Sequence, residues 1–178
     1  MRLITLFVLT AVKTFLLMLF LVSCSKKSDS STTPPPQAPP LTGTPDVTTT
    51  TVLSNQGIIW GFDVLPNGNL LYTQKSGSMQ LYDTTSRSNT VLTGLPSNIS
   101  SAGQGGLLDV AVAPDFATTN RVYVTYSITG GFLVLARFTL QGTAAANWQV
   151  LVTTESASTW NGHFGSRIVF GEDGKLYW

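Results

Sequence analysis

The sequence predicts an all-β protein, a β-propeller built of repeated four-stranded antiparallel sheets. Two observations predict it. Short runs of β-branched and aromatic residues alternate with turn signals such as Asn67-Gly68, Gly130-Gly131 and Asp173-Gly174. One motif, an apolar strand followed by an acidic or Pro/Asn/Gly turn and an aromatic strand, also occurs three times. Its turns begin at Pro66, Pro114 and Glu172, 48 and then 58 positions apart. Four strands per unit of roughly fifty residues is the spacing of propeller blades. A β-sandwich fits less well, because two matched sets of four strands are joined by longer connections.

The chain supplies the strands in order. Val47–Leu53 is β-branched with polar alternates and predicts a half-buried or edge strand. Ile58–Val64 and Asn69–Gln74 flank Pro66-Asn67-Gly68 as a hairpin, Ser76-Gly77 turns into Met79–Tyr82, and Thr90–Thr93 makes the fourth strand. After a connection from Gly94 to Gly106 the order repeats. Leu107–Ala113 is nearly continuously apolar, Pro114-Asp115-Phe116 turns, and Arg121–Ser127, Phe132–Leu140 and Trp148–Thr153 follow. A second connection, Thr154–Gly165, leads to Ser166–Phe170, the turn Glu172-Asp173-Gly174 and Lys175–Trp178. Two blades are thus expected whole and a third as far as its second strand. Such a set leaves blade faces without neighbours, so the sequence reads as the N-terminal part of a longer ring, inactive by itself.

The first 46 residues read differently. Residues 1–23 carry Arg2, Lys13 and the apolar run Thr14–Val22, the pattern of a cleaved signal rather than of fold. A spanning helix over Ile4–Val22 would place Lys13 at its centre, at about 2.5–3.5 kcal/mol. Leu21-Val22-Ser23-Cys24 resembles a bacterial lipobox, which makes Cys24 the lipidated residue and sends the protein to the cell envelope. Ser25 after the cysteine resembles lipoproteins of the outer membrane, facing periplasm or surface. Residues 24–46, rich in Pro, Ser and Thr, read as an extended tether, and 47–178 as the propeller part. Cys24 is the only cysteine, so the globular part has no disulfide and no thiolate for metal or catalysis.

Charge excludes one class of partner. Arg2 and Lys13 lie in the leader, which leaves eight basic residues against nine acidic ones. Without a basic stripe to neutralise phosphates, no nucleic-acid partner is expected.

Chemistry is expected on the connections into inner strands, which deliver side chains to the mouth of a propeller's channel. Gln104 stands three residues before Leu107 and His163 three before Ser166, and Trp60 lies similarly beside the first inner strand. Glycines at 103, 105, 106, 162 and 165 permit close backbone approach there. An imidazole at such a mouth can accept a proton from a substrate hydroxyl, and a carboxamide can hold a hydroxyl or carbonyl. The alternatives stay open: a hydrogen-bonded structural histidine and a plain glycine turn. Asp109 is expected to cap a backbone donor or join a buried pair, and Arg167 to be an ion-pair partner. Asp115, Glu172 and Asp173 are turn carboxylates. Gly-Gln-Gly-Gly matches neither a dinucleotide fingerprint nor a P-loop, and no His/Cys cluster has metal-ligand spacing.

Three segments carry a resemblance: Trp60–Tyr72 (WGFDVLPNGNLLY), Gly103–Phe116 (GQGGLLDVAVAPDF) and His163–Tyr177 (HFGSRIVFGEDGKLY). In order and spacing they resemble the glucose/sorbosone dehydrogenases, the soluble PQQ-dependent sugar and aldose dehydrogenases, over roughly Val52–Trp178. The resemblance implies a six-bladed β-propeller with pyrroloquinoline quinone (PQQ) over the channel and calcium beside it. It implies that an aldose is oxidised to its lactone, with hydride passing to PQQ. By motif position His163 is then the catalytic base and Gln104 the glutamine beside cofactor and substrate. The better-studied glucose enzymes have an acidic residue where this chain has Gly162, so imidazole orientation must come from elsewhere. The family's quinone-gripping arginines and lysine, and its calcium ligands, belong to later blades. The rival expectation is a non-catalytic propeller that binds ligands at the cell surface.

Overall fold

The structure is a computed structural model that describes Gly43, residues 46–155, Ala157 and residues 159–178. The expected signal segment, Cys24 and, apart from Gly43 and Asp46, the tether lie outside the described residues. The chain divides into Met1–Thr48 and Thr49–Trp178, and the second unit contains every described strand.

Two four-stranded antiparallel sheets follow one another. The first runs β1 (Ile59–Val64), β2 (Leu70–Gln74), β3 (Met79–Asp83), β4 (Ser88–Val91), each strand bonded to the next. The second repeats the meander with β5 (Leu107–Val112), β6 (Arg121–Ile128), β7 (Phe132–Gln141) and β8 (Ala144–Thr153). A final hairpin pairs β9 (Val169–Phe170) with β10 (Leu176–Tyr177). These are two propeller blades and the opening strands of a third, as the repeat spacing predicts.

Strand alternation decides which side chains join blade to blade. On β6, Val122, Val124 and Tyr126 lie in a core shared with Leu65, Leu71 and Met79 of the first blade. The opposite face turns to the third blade, where Tyr123 meets Phe170 edge-on at 5.3 Å between ring centroids. Ala111, Leu135 and Ile168 make a smaller core there. Each of the first two inner strands carries a bulge, one extra residue between Ile59 and Phe62 in β1 and between Leu107 and Val110 in β5.

A bulge leaves an amide without a ladder partner, and a threonine on the second strand fills the gap each time. Gly61 N–H donates to Thr73 Oγ1 at 3.1 Å, and Asp109 N–H donates to Thr125 Oγ1 at 3.0 Å. The same hydroxyls reach the next blade: Thr73 donates to the Leu108 carbonyl, and Thr125 to the Ser166 carbonyl at 3.1 Å. Both threonines are fully buried. A Thr125→Val substitution keeps the shape and leaves the Asp109 amide and the Ser166 carbonyl unsatisfied. It is expected to destabilise the fold by about 2 kcal/mol, read as a lowered urea midpoint at constant slope.

Two expectations need correction. Val47–Leu53 forms no strand: it has no ladder partner among the described residues, Val47 and Val52 are exposed, and β propensity alone does not make a sheet. The third inner strand is shorter than Ser166–Phe170, because Ser166 sits at φ +97° and Arg167 and Ile168 bond outward to Asp109. After Pro114-Asp115 the chain makes a helical turn, α1 (Phe116–Thr119), closed by Asn120 in the left-handed region. The last hairpin keeps its acidic turn. Asp173 accepts from Lys175 Nζ at 2.6 Å and from Tyr177 Oη at 3.0 Å, and the lysine foremost holds its carboxyl below the ordinary range.

Candidate functional site

The site is made by the two connections that enter β5 and β9. The first is pinned by Ser127, a buried residue at the end of β6. Its hydroxyl donates to the Ser100 carbonyl at 2.7 Å and accepts from Gly106 N–H at 2.8 Å. A Cβ at 105 would collide with this anchor, 2.3 Å from Ser127 Oγ, and one at 106 with the Lys75 carbonyl at 2.2 Å. The glycines are there for close approach.

This anchoring presents Gln104 to the second connection. Gln104 N–H donates to the Asn161 carbonyl at 2.8 Å, and Gln104 Oε1 accepts His163 N–H at 2.8 Å. At Gly103, with φ +58°, a Cβ would stand 2.3 Å from the same Asn161 carbonyl. Two residues 59 positions apart in sequence are therefore held together at an exposed surface. The carboxamide oxygen faces the His163 backbone, and its nitrogen is the group's donor end.

The His163 segment is conformationally unusual. Asn161, His163 and Ser166 have φ of 56°, 58° and 97°. Positive φ in residues other than glycine is uncommon and persists where surroundings enforce it. Here the enforcement is visible in the hydrogen bonds to Asn161 and His163 backbone atoms. The imidazole is exposed and meets the Trp160 ring edge-on, with centroids 4.8 Å apart and an interplanar angle of 82°. Ser166 Oγ is buried and has no partner among the described residues.

Replacing Gln104 by alanine removes the acceptor that holds the His163 amide. Hydrogen exchange at that amide is expected to accelerate about 5–10-fold, the equivalent of one modest hydrogen bond, while Gln104→Glu retains protection.

The other polar residues sort out by geometry. Asp109 is 1% exposed, and both its oxygens are engaged: Oδ1 by Arg167 Nη1 at 2.8 Å, Oδ2 by Ile168 N–H at 2.7 Å. Arg167 is its ion-pair partner and keeps most of its side chain in solvent. Asp109 thus joins β5 to the segment that leads into β9 rather than offering a free carboxylate. Trp60 lies inside β1, at the bulge, and not on a connection. Ser127 and Trp160 were not singled out by sequence reasoning. Trp160-Asn161-Gly162 immediately before the histidine was the available signal for the second, whereas nothing in RVYVTYS marks its serine as an anchor. Among the described residues, no three His, Cys, Asp or Glu side chains converge.

The comparisons agree with this fold. The Aldose sugar dehydrogenase YliI of Escherichia coli is 32% identical over 125 residues, which cover 66% of this chain and 33% of that protein. An uncharacterized protein of Synechocystis, slr1608, is 30% identical over 142 residues, covering 74% of this chain and 34% of its own. The PQQ-bound form of Aldose Sugar Dehydrogenase from Streptomyces coelicolor superposes with a TM-score of 0.64 at 26% identity, over 71% of this chain and 39% of that one. The chain spans about a third of the length of the curated relatives it matches. Residues 56–178 match the Glucose / Sorbosone dehydrogenase family, which embraces both blades, the opening of the third and the Gln104–His163 connection, and the chain belongs to that family.

Proposed function

We propose that this chain supplies the proton-accepting side of a sugar dehydrogenase site, in a PQQ-dependent lipoprotein that oxidises an aldose to its lactone. The observation that carries the reading is the junction of Gln104 and His163, two equivalent blade connections tied by two hydrogen bonds at an exposed rim. Oxidation at the C1 carbinol removes the hydroxyl proton and, from carbon, a hydride. PQQ, when bound, supplies the two-electron acceptor for that hydride. His163 takes the hydroxyl proton on a ring nitrogen, and Gln104 steadies the backbone that carries the imidazole while turning its amide nitrogen toward ligand oxygens.

The donor set suits a quinone and a sugar. An imidazole, a carboxamide and the unpartnered Ser166 hydroxyl are groups that recognise carbonyl and hydroxyl oxygens. For calcium the described residues offer no converging carboxylates, and no step here involves it. By the lipobox resemblance Cys24 carries the lipid and residues 25–46 hold the propeller away from the membrane, in the cell envelope.

The test is dye reduction by the complete gene product supplied with PQQ, calcium and a panel of aldoses. Reduction that needs both PQQ and an aldose is the expected result. Sugar binding without turnover would replace this reading with that of a surface binding module.

A further inference from the structure

We propose that Trp160 is the positioning residue for His163 and occupies the space that a side chain at position 162 would need. As a statement about catalysis this rests on the assignment of His163 as the base. Its structural content stands on separate contacts.

The indole lies directly over the Cα of Gly162. A Cβ added there would fall 2.7, 2.8 and 2.9 Å from Trp160 Cη2, Cζ2 and Cζ3, well inside contact distance. Glycine at 162 and the seat of the indole are therefore one feature. From that seat the indole meets the imidazole edge-on at 4.8 Å, a geometry that aromatic quadrupoles favour. The histidine backbone is fixed independently, by its left-handed φ and by the Gln104 acceptor. Backbone and ring are thus constrained by separate contacts.

The chemistry differs from orientation by a carboxylate. A carboxylate fixes an imidazole by engaging one ring nitrogen. An edge-to-face aromatic contact constrains the ring plane without a carboxylate. Among the described residues, none hydrogen-bonds a ring nitrogen of His163. Trp160 is 60% exposed, which places an apolar ring beside those nitrogens at the rim.

Two readouts test the proposal. His163 is the only histidine of the chain, and in the complete gene product its imidazole carbon-bound proton signals are identified by their loss in a His163→Gln variant. The ring current of Trp160 is expected to displace them, and Trp160→Ala to return them to the free-imidazole position. In the complete gene product with PQQ, Trp160→Ala is expected to lower kcat about 10-fold with a smaller change in KM, since misplacement of a catalytic group costs on that scale. Trp160→Phe should restore most of the loss, and Gly162→Ala, which pushes the indole aside, should reproduce it. Unmoved imidazole signals in a folded Trp160→Ala protein would overturn the contact. Undiminished kcat in that variant would overturn the positioning role. If wild-type protein lacks PQQ-dependent turnover, the enzymatic reading fails, while the NMR comparison still decides whether Trp160 orients His163.

Discussion

A His163→Ala protein is expected to oxidise its aldose roughly 10²–10⁴-fold more slowly than wild type, the usual contribution of a positioned general base, with KM little changed. The effect falls on kcat because the imidazole takes its proton as the C–H bond breaks, an interaction made in the transition state and not in the ground state. Its place at an exposed rim, with the backbone held by Gln104, means that losing the ring leaves no buried polar group orphaned. Thermal stability should therefore change little, and lost turnover cannot be ascribed to unfolding. Steady-state dye reduction and a melting curve on the same preparation check both halves. Wild-type kcat in the alanine variant would remove the base assignment.

Gly61→Ala is expected to produce the largest loss of stability of any single methyl addition in the inner strands, about 3 kcal/mol, at the upper end of ordinary overpacking costs. Its Cβ would enter 2.5 Å from Asp109 Oδ1 and 3.2 Å from Asp109 Cα. The carboxylate has nowhere to retreat, since Arg167 and Ile168 hold both its oxygens. Either the first two inner strands separate or the bonds from the second to the third are given up. Gly61, Asp109 and Arg167 occupy equivalent places, each five residues before its turn at Pro66, Pro114 or Glu172. One methyl in the first blade is thus felt in the third. Urea unfolding of Gly61→Ala beside an Asp109→Ala, Gly61→Ala double variant measures this: if the clash is with the carboxylate, adding Gly61→Ala to an Asp109→Ala background should cost much less.

What was legible in the sequence was whatever depends on period and punctuation. The turns at Asn67-Gly68 and Gly130-Gly131 and the alternation of RVYVTYS placed the strands within a few residues, and the repeat of the turn motif gave the propeller. Matching the two connections by their distance from the inner strands also pointed to Gln104 and His163, which the structure brings into contact. What depends on a hydroxyl's second bond was not legible. Thr73 and Thr125 read as β-branched filler in a strand, yet each closes a bulge and crosses to the next blade. Val47–Leu53 misled for the converse reason, as its propensity is local and a strand requires a neighbour. The positive φ of His163 was equally hidden, because nothing in an L-residue's identity announces a conformation that its surroundings impose.

The threonine links have a direction. Thr73 reaches forward to Leu108 and Thr125 forward to Ser166, so each blade, once closed, presents a donor to the strand that is synthesised next. During translation, N-terminal segments leave the ribosome first and fold as units. A blade that emerges later therefore meets a finished template whose buried hydroxyl already marks the register of its first strand. Assembly of this kind is vectorial, a ratchet that advances blade by blade and discourages a new strand from docking one residue out of step.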